Sequence, residues 1–514
     1  MAAQHLVSRL AVATDGRHAL LRIRATDRAA LEKHVFQRYP NREWGTFFQF
    51  GWRRTPWGLS LSFIDPELPV SGDLDRQTPM TTFKDQYTRR VFQAAISVKP
   101  RAIGVVHSHP TGYSTSPSLL DDDMDRYFSK ELSARSGGAP YCSLILQRSS
   151  PDRFTFSGRV YDRGEWLPVT DLLTVGSQLQ RHRTELADRE ALEIQSDSES
   201  TTARLESLMG VPSAARLRGT VLGFIGCGGT GSPAIAVAAR AGVGEFVLVD
   251  PDRFGRSNYE RLHGASHRHL QMAEPPYKID IMRAMIADIS PQARVTGFVG
   301  NVLHDNVVDE LLRCDVLLGC TDSFHGRAAL SDIAQHFLLP SLDIGIAMDG
   351  QDGRVTQQLV DFTQYSPDFA CAFCGERINT TEMGYELMSD GEKLARQAEA
   401  ADAAARGHDP DQYWRGNTRQ LHTVGYLTTA AGALGAGYVE GWLTGTFGPP
   451  HSTMQFDIGK ERFAFVAPPR TGRETCRCRQ LIGWADAARG YRNVALPTHW
   501  PQRAVLRFRS KSTQ

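Results

Sequence analysis

The stretch whose residue types and spacing could do chemistry together is His107-Ser108-His109-Pro110, followed by Ser118 and Asp121. Two imidazoles at alternate positions of a strand point to one face and can grip a single cation. A carboxylate a dozen residues on can supply a third ligand, leaving the fourth tetrahedral position for water. That layout suits a zinc hydrolase. The elements that must hold it are legible nearby: the apolar run 102–106 ends in the histidines, Pro-Thr-Gly-Tyr is a turn, and Ser118 can cap a helix beginning near Asp121. The alternative is a strand whose end carries two surface histidines, and Ser118 and Asp121 weigh against it.

This stretch resembles the JAMM (JAB/MPN) metalloproteases, zinc isopeptidases whose pattern is an upstream Glu, H-S/T-H, a short loop and S-x-x-D. The resemblance implies His107, His109 and Asp121 as ligands of a catalytic zinc, with Ser118 steadying the water or oxyanion. It also implies an upstream general base that takes the water's proton and returns it to the leaving amine. Glu43, in Arg-Glu-Trp-Gly-Thr-Phe-Phe before an apolar strand, matches that position. The loop from His109 to Ser118 is one residue longer than the common pattern.

A second constellation begins at Gly226-Cys227-Gly228-Gly229-Thr230-Gly231, behind the apolar run 221–225 and ahead of a helix. Such glycines let the backbone turn tightly and bring its N–H groups to a phosphate at the helix N-terminus. Asp250, ending the next strand, can take both ribose hydroxyls, which nicotinamide enzymes share. The residues beyond Asp250 depart from the nicotinamide pattern. Asp252, Ser257, Asn258 and Arg261 lie close together, Lys278 opens the next helix, and Cys320-Thr321-Asp322 ends a later strand. Two cations and a strand-end Asp suit a triphosphate with Mg2+ better than a dinucleotide.

These motifs resemble the ThiF/MoeB family and the ubiquitin-activating enzymes, over about residues 217–445. The resemblance implies ATP binding by Gly226, Gly228, Gly229, Gly231, Asp250, Asp252, Asn258, Arg261 and Lys278, with Asp322 on Mg2+. Arg261, Lys278 and Asp322 would serve catalysis, and Arg327 fits the Arg that follows the family's Asp. Phe254 and Leu262 replace the family's usual Val and Gln. The implied reaction is adenylation of the C-terminus of a ubiquitin-like protein, with a homodimer formed through the adenylation domain.

Cys371-Ala-Phe-Cys374 and Cys476-Arg-Cys478 supply two cysteine pairs. Four thiolates suit a tetrahedral structural zinc, and the family carries one built from two separated pairs. The alternative is four reduced thiols. No cysteine lies between Cys374 and Cys476, so no thioester nucleophile is expected there; Cys142, Cys227, Cys314 and Cys320 each read as packing residues.

The 514 residues allow several domains. Net charge is +1, from 58 basic and 57 acidic residues, which points to neither nucleic acid nor membrane as partner. The first residues show no basic segment followed by an apolar core, and eight clustered cysteines fit a reducing compartment, so a cytoplasmic protein is expected. The low-charge stretch 423–445, with Glu440 inside it, reads as a buried helix with small-residue contacts rather than a membrane span.

The α/β fold expected is a JAB/MPN (cytidine-deaminase-like) domain over 1–170, a helical and flexible linker over 171–215, a Rossmann-like doubly wound adenylation domain over 216–490 and a tail over 491–514. Runs at 220–225, 231–240, 245–249, 277–288, 293–299, 315–319 and 324–337 alternate strand with helix, which implies a mostly parallel sheet. Together the two halves predict an enzyme that trims or deconjugates a ubiquitin-like modifier and activates it, with a conjugating enzyme as a further partner. Similar fusions occur in bacterial ubiquitin-like conjugation systems, some of them antiphage. The runner-up is adenylation of a sulfur-carrier protein for cofactor or cysteine synthesis.

Overall fold

The structure, a computed structural model, describes residues 10–75, 80–97, 101–150, 153–184, 201–410, 423–447, 452–458, 463–465, 472–488, 496–498 and 500–510. It divides into two compact units. One comprises Met1–Ser198, His336–Leu338 and Leu481–Arg489; the other comprises Glu199–Gln335, Leu339–Gln480 and Gly490–Gln514.

The first unit carries β1 (His18–Arg24), β2 (Gly45–Thr55), β3 (Gly58–Glu67), β4 (Ala102–Ser108), β5 (Tyr141–Ser150), β6 (Arg153–Asp162), β7 (Glu165–Val175) and β8 (Gln180–Arg183). Their order is β1-β3-β2-β4-β5-β6-β7-β8, and β1 also pairs with β7. The sheet therefore closes into a barrel-like form. Alternation along β2 serves two cores. Phe48 and Phe50 pack with Leu61, Val106 and Leu144 and with Leu31 and Val35 of the helix Ala25–Val35. Phe47 turns the other way, to Val105, Tyr87 and Phe128, the last two on the helices Asp85–Ser97 and Leu119–Arg135. Each such side chain, fully buried, contributes roughly 1.5–3 kcal/mol.

The polar stretch after residue 171 is not all linker. Residues 172–175 finish β7, and Gln180–Arg183 forms β8 antiparallel to it. Asp171 explains why a charged sequence stays in the sheet: its Oδ1 accepts from Arg181 Nε at 2.7 Å and Arg183 Nε at 3.4 Å. The serine-rich part of that linker, 196–200, lies outside the described residues. Helices Ala203–Met209 and Val211–Arg218 lead into the second unit's sheet.

That sheet contains β9 (Val221–Ile225), β10 (Glu245–Val249), β11 (Arg294–Val299), β12 (Val316–Gly319), β13 (Ser341–Gln351), β14 (Arg354–Tyr365), β15 (Thr453–Asp457), β16 (Phe463–Phe465) and β17 (Val505–Arg509). Strands β11-β10-β9-β12-β13 run parallel in that order. β9, β10 and β12 are buried throughout, as parallel strands covered on both faces must be. The order reverses at β9, so a crevice opens beyond the carboxyl ends of β9 and β12, the ligand position of doubly wound sheets.

Two boundaries differ from expectation. The supposed tail contributes β17, antiparallel on β11, because Phe508 fills the space above Gly297 and Arg509 pairs with Glu310 at 2.7 Å. Residues 481–489 belong to the first unit, where Trp484 and Ala488 pack on Ile64 and Asp486 pairs with Arg53 at 2.8 Å.

The helix Gly425–Thr444 is buried along much of its length. Its small residues permit close approach: a Cβ on Gly432 would lie 2.3 Å from the Thr230 carbonyl oxygen. No helix among the described residues is long and apolar enough to cross a membrane.

Candidate functional site

In the first unit, β4 and the helix Leu119–Arg135 deliver His107, His109 and Asp121 to one point. Gly45 pairs with His107 across β2 and β4, and His109 N–H donates to the Leu146 carbonyl at 2.9 Å, so the strand frame fixes both imidazoles. His107 Nε2 lies 3.3 Å from His109 Nε2 and 3.2 Å from Asp121 Oδ1, with His109 Nε2 3.7 Å from Asp121 Oδ2. Zinc bonds of about 2.0–2.1 Å in a tetrahedron require ligand separations of about 3.3 Å, so the donor set fits that ion. His109 Nδ1 is 2.6 Å from the Ser114 carbonyl and donates to it, so Nε2 is the nitrogen that could accept a metal. Burial would raise the Asp121 carboxyl, but His107 and His109 outweigh it and hold it well below the usual range.

Ser118 caps the helix. Its Oγ accepts the Asp121 N–H at 3.2 Å while Asp121 Oδ2 accepts the Ser118 N–H at 2.6 Å, so the serine is engaged in aiming the carboxylate. Glu43, just ahead of β2, accepts the Thr81 N–H at 3.1 Å and lies near enough to His107 to favour its charged form. Ser108 Oγ donates to the Val35 carbonyl at 2.6 Å, facing away from its neighbouring histidines.

In the second unit a cavity of about 430 Å³ sits beyond the carboxyl ends of β9, β10 and β12. Gly226, Gly228, Gly229, Asp250, Asp252, Asn258, Arg261, Lys278, Asp322 and Arg327 all line it. Gly231 does not; it opens the helix Gly231–Arg240, where a Cβ would lie 2.1 Å from the Gly226 oxygen. Gly226 itself has φ +96° and presses on the Cys320 carbonyl, so only glycine serves there. Gly229 makes room for Arg261, whose Cδ would stand 2.8 Å from an added Cβ.

Asp250 is buried and braced by the N–H groups of Cys227 (2.7 Å) and Asp252 (2.8 Å). Burial raises its carboxyl, against the opposing pull of Lys278. Lys278 Nζ lies 2.6 Å from Asp252 and 3.9 Å from Asp250, and these carboxylates overcome burial to raise its pKa. Asn258 Oδ1 accepts the Gly255 N–H at 3.0 Å. Asp322 is exposed and lines the same cavity. The arrangement gathers the glycine loop, Lys278, Arg261 and Arg327 around one cavity that Asp250, Asp252 and Asp322 also line.

Other cavity residues had no local motif. His325 and Asn301 line it, and Glu386 sits behind them. The Glu386 carboxylate accepts the N–H groups of Phe324 (2.9 Å) and His325 (3.0 Å) and the His325 Nδ1–H (2.7 Å), capping the helix Phe324–His336. His325 Nε2 then accepts from Asn301 Nδ2 at 2.8 Å. Arg327 pairs with the buried Asp343, whose carboxyl burial pushes up to about 6. Trp500, from the segment taken as tail, also lines the cavity.

Cys371, Cys374, Cys476 and Cys478 form a second metal-competent cluster. Cys371 Sγ is 3.8 Å from Cys476 Sγ, and Cys374 Sγ is 3.9 Å from Cys478 Sγ, the edges of a tetrahedron with zinc–sulfur bonds of about 2.3 Å. The CxC pair reaches the cluster with Cys478 in the one-turn helix Arg477–Gln480. Cys142, Cys227 and Cys314 are buried, and burial raises all three thiols as well as Cys320.

A family model described as the ThiF family matches residues 201–478. Among curated proteins, the chain is 28% identical over 174 residues to the adenylyltransferase and sulfurtransferase UBA4 of Saccharomyces cerevisiae, covering 33% of this chain and 37% of that one. It is 30% identical over 143 residues to the adenylyltransferase and sulfurtransferase MOCS3 of Drosophila willistoni, covering 28% and 30%. It is 30% identical over 165 residues to the SAMP-activating enzyme E1 of Haloferax volcanii, covering 32% and 57%. The chain thus spans between about a third and somewhat over half of these relatives.

Proposed function

The chain belongs to the ThiF family, and from that premise we propose that its second unit adenylates the C-terminal carboxylate of a small ubiquitin-like or sulfur-carrier protein. The observation that carries this is the single cavity that gathers the glycine loop, Asp250, Arg261, Lys278 and Asp322. In this reading the loop amides and Arg261 hold the phosphates and Asp250 holds the ribose. Lys278 neutralises charge as the carrier's carboxylate attacks the α-phosphorus and pyrophosphate leaves. Mg2+ held by Asp322 would neutralise phosphate charge. Relatives named as adenylyltransferases and sulfurtransferases favour a sulfur carrier over a conjugated modifier. Carrier-dependent ATP–pyrophosphate exchange tests the reading. Lys278→Ala and Asp322→Ala should each reduce it by about 10²–10³-fold, the scale of losing one oriented group that stabilises transition-state charge. Exchange that survives both substitutions means another reaction.

A second reading concerns the first unit and rests on the convergence of His107, His109 and Asp121. We propose that these residues hold a catalytic zinc of a JAMM-type peptidase that trims or releases the same carrier. Zinc there would supply Lewis-acid activation of water at neutral pH. Glu43 takes the proton and passes it to the leaving amine, and Ser118 keeps Asp121 in place. His109→Ala and Asp121→Ala should lose metal and cleavage together. Glu43→Gln should keep the metal and lose about two orders of magnitude in turnover. Normal cleavage by Glu43→Gln removes that assignment.

A further inference from the structure

We propose that Trp500 forms the base-binding wall of the nucleotide cavity, stacking on the purine of the bound ATP; this rests on the adenylation reading above. The order of the strands sets the direction of the ligand. β9 ends in the glycine loop, β10 ends at Asp250, and β11 ends at Gly300-Asn301-Val302, all three of which line the cavity. With phosphates on the loop and ribose at Asp250, the base must lie past β10, two strand spacings or roughly 10 Å from the loop.

Trp500 is carried to that end by the edge strand. β17 runs antiparallel to β11 with Val505 opposite Val299, so the residues before β17 emerge at the carboxyl end of β11. The segment is pinned there. His304 Nε2 lies 2.8 Å from the Pro501 carbonyl, and Asn306 exchanges two hydrogen bonds with the Ala504 backbone, at 2.9 and 3.2 Å. The Trp500 ring sits 5.5 Å from the His325 ring and 6.3 Å from that of His304. His325 is itself held by Glu386 and Asn301. A half-exposed indole on a braced platform, lining the cavity beside the carboxyl end of β11, offers an aromatic surface on which a base can stack. Stacking reads the face of a base and not its edge, so it contributes affinity for any purine nucleotide.

Equilibrium titration of the full chain with ATP, GTP and inorganic tripolyphosphate tests the assignment. Trp500→Ala should raise Kd for both nucleotides by about tenfold, the usual scale for losing one stacked base. Tripolyphosphate, which has no base, should bind the variant as it binds the wild type. Trp500→Phe should recover most of the loss. Unchanged ATP affinity in Trp500→Ala overturns the proposal, and so does an equal loss for tripolyphosphate, which would mark a merely structural residue. A wild-type chain that binds tripolyphosphate but gains nothing from the base also overturns it while leaving the phosphate site standing. A wild-type chain that binds none of the three overturns the adenylation reading as well.

Discussion

Ser118 and Asp121 hold each other through reciprocal hydrogen bonds at the start of one helix. Ser118→Ala should therefore cost about 1 kcal/mol of stability, the ordinary value of an N-cap, and weaken zinc binding without abolishing it. Urea unfolding and competition with a chelator measure the two effects. A second residue-level prediction concerns thiols. With Cys142, Cys227, Cys314 and Cys320 all raised by burial, a thiolate is disfavoured at each. Incubation with ATP and carrier should then give no dithiothreitol-sensitive adduct on a non-reducing gel, and an adduct lost in Cys320→Ala would restore a thioester step. The sequence made His107, His109, Asp121, Asp250 and Asp322 legible because each belongs to a short motif whose spacing is set by one strand end or one helix start. Glu386 was not legible. It reaches His325 across 61 residues, and nothing local distinguishes it from a solvated glutamate.

The helix Gly425–Thr444 carries a further test. Burial raises the Glu440 carboxyl to about 7 from 4.5, and its Oε1 has no hydrogen-bond partner among the described residues. A carboxylate raised in the folded state binds its proton more tightly there than when unfolded. Stability should therefore fall as pH rises from about 4.5 to about 7 and then level off, by about 3 kcal/mol in all. Glu440→Gln should flatten that part of the profile and leave the protein more stable at pH 8, as read by thermal unfolding across pH. An unchanged slope would mean that Glu440 is solvated or paired. Low charge and small-residue content made this helix readable, as short apolar runs did β9, β10 and β12. β8 and β17 escaped because their sequences are polar or lie far from the motifs. Cross-strand partners, Asp171 for β8 and Glu310 for β17, decide their placement.

For the molecule as a whole, two metal-competent clusters predict two zinc ions per chain. Elemental analysis should find about one fewer in Asp121→Ala and one fewer in Cys374→Ser. The cysteine variant should also destabilise the second unit, and retention of both ions in either variant would remove the corresponding site. The mostly parallel character of the second sheet was readable from alternating strand and helix runs through β9, β10, β11 and β12, whereas the strand order, and closure of the first sheet by β1 on β7, depend on pairings between distant segments that no local pattern announces.

Transfer of AMP by the second unit is tested most directly by the fate of the ATP phosphates. The chain should be incubated with α-labelled and γ-labelled ATP and a purified ubiquitin-like or sulfur-carrier protein ending in a free glycine carboxylate. The α-label should appear on the carrier as an acyl-adenylate while the γ-label leaves as pyrophosphate, both lost in Asp322→Ala. Release of the γ-label as phosphate with ADP remaining, or pyrophosphate formation that needs no protein carboxylate, would contradict AMP transfer.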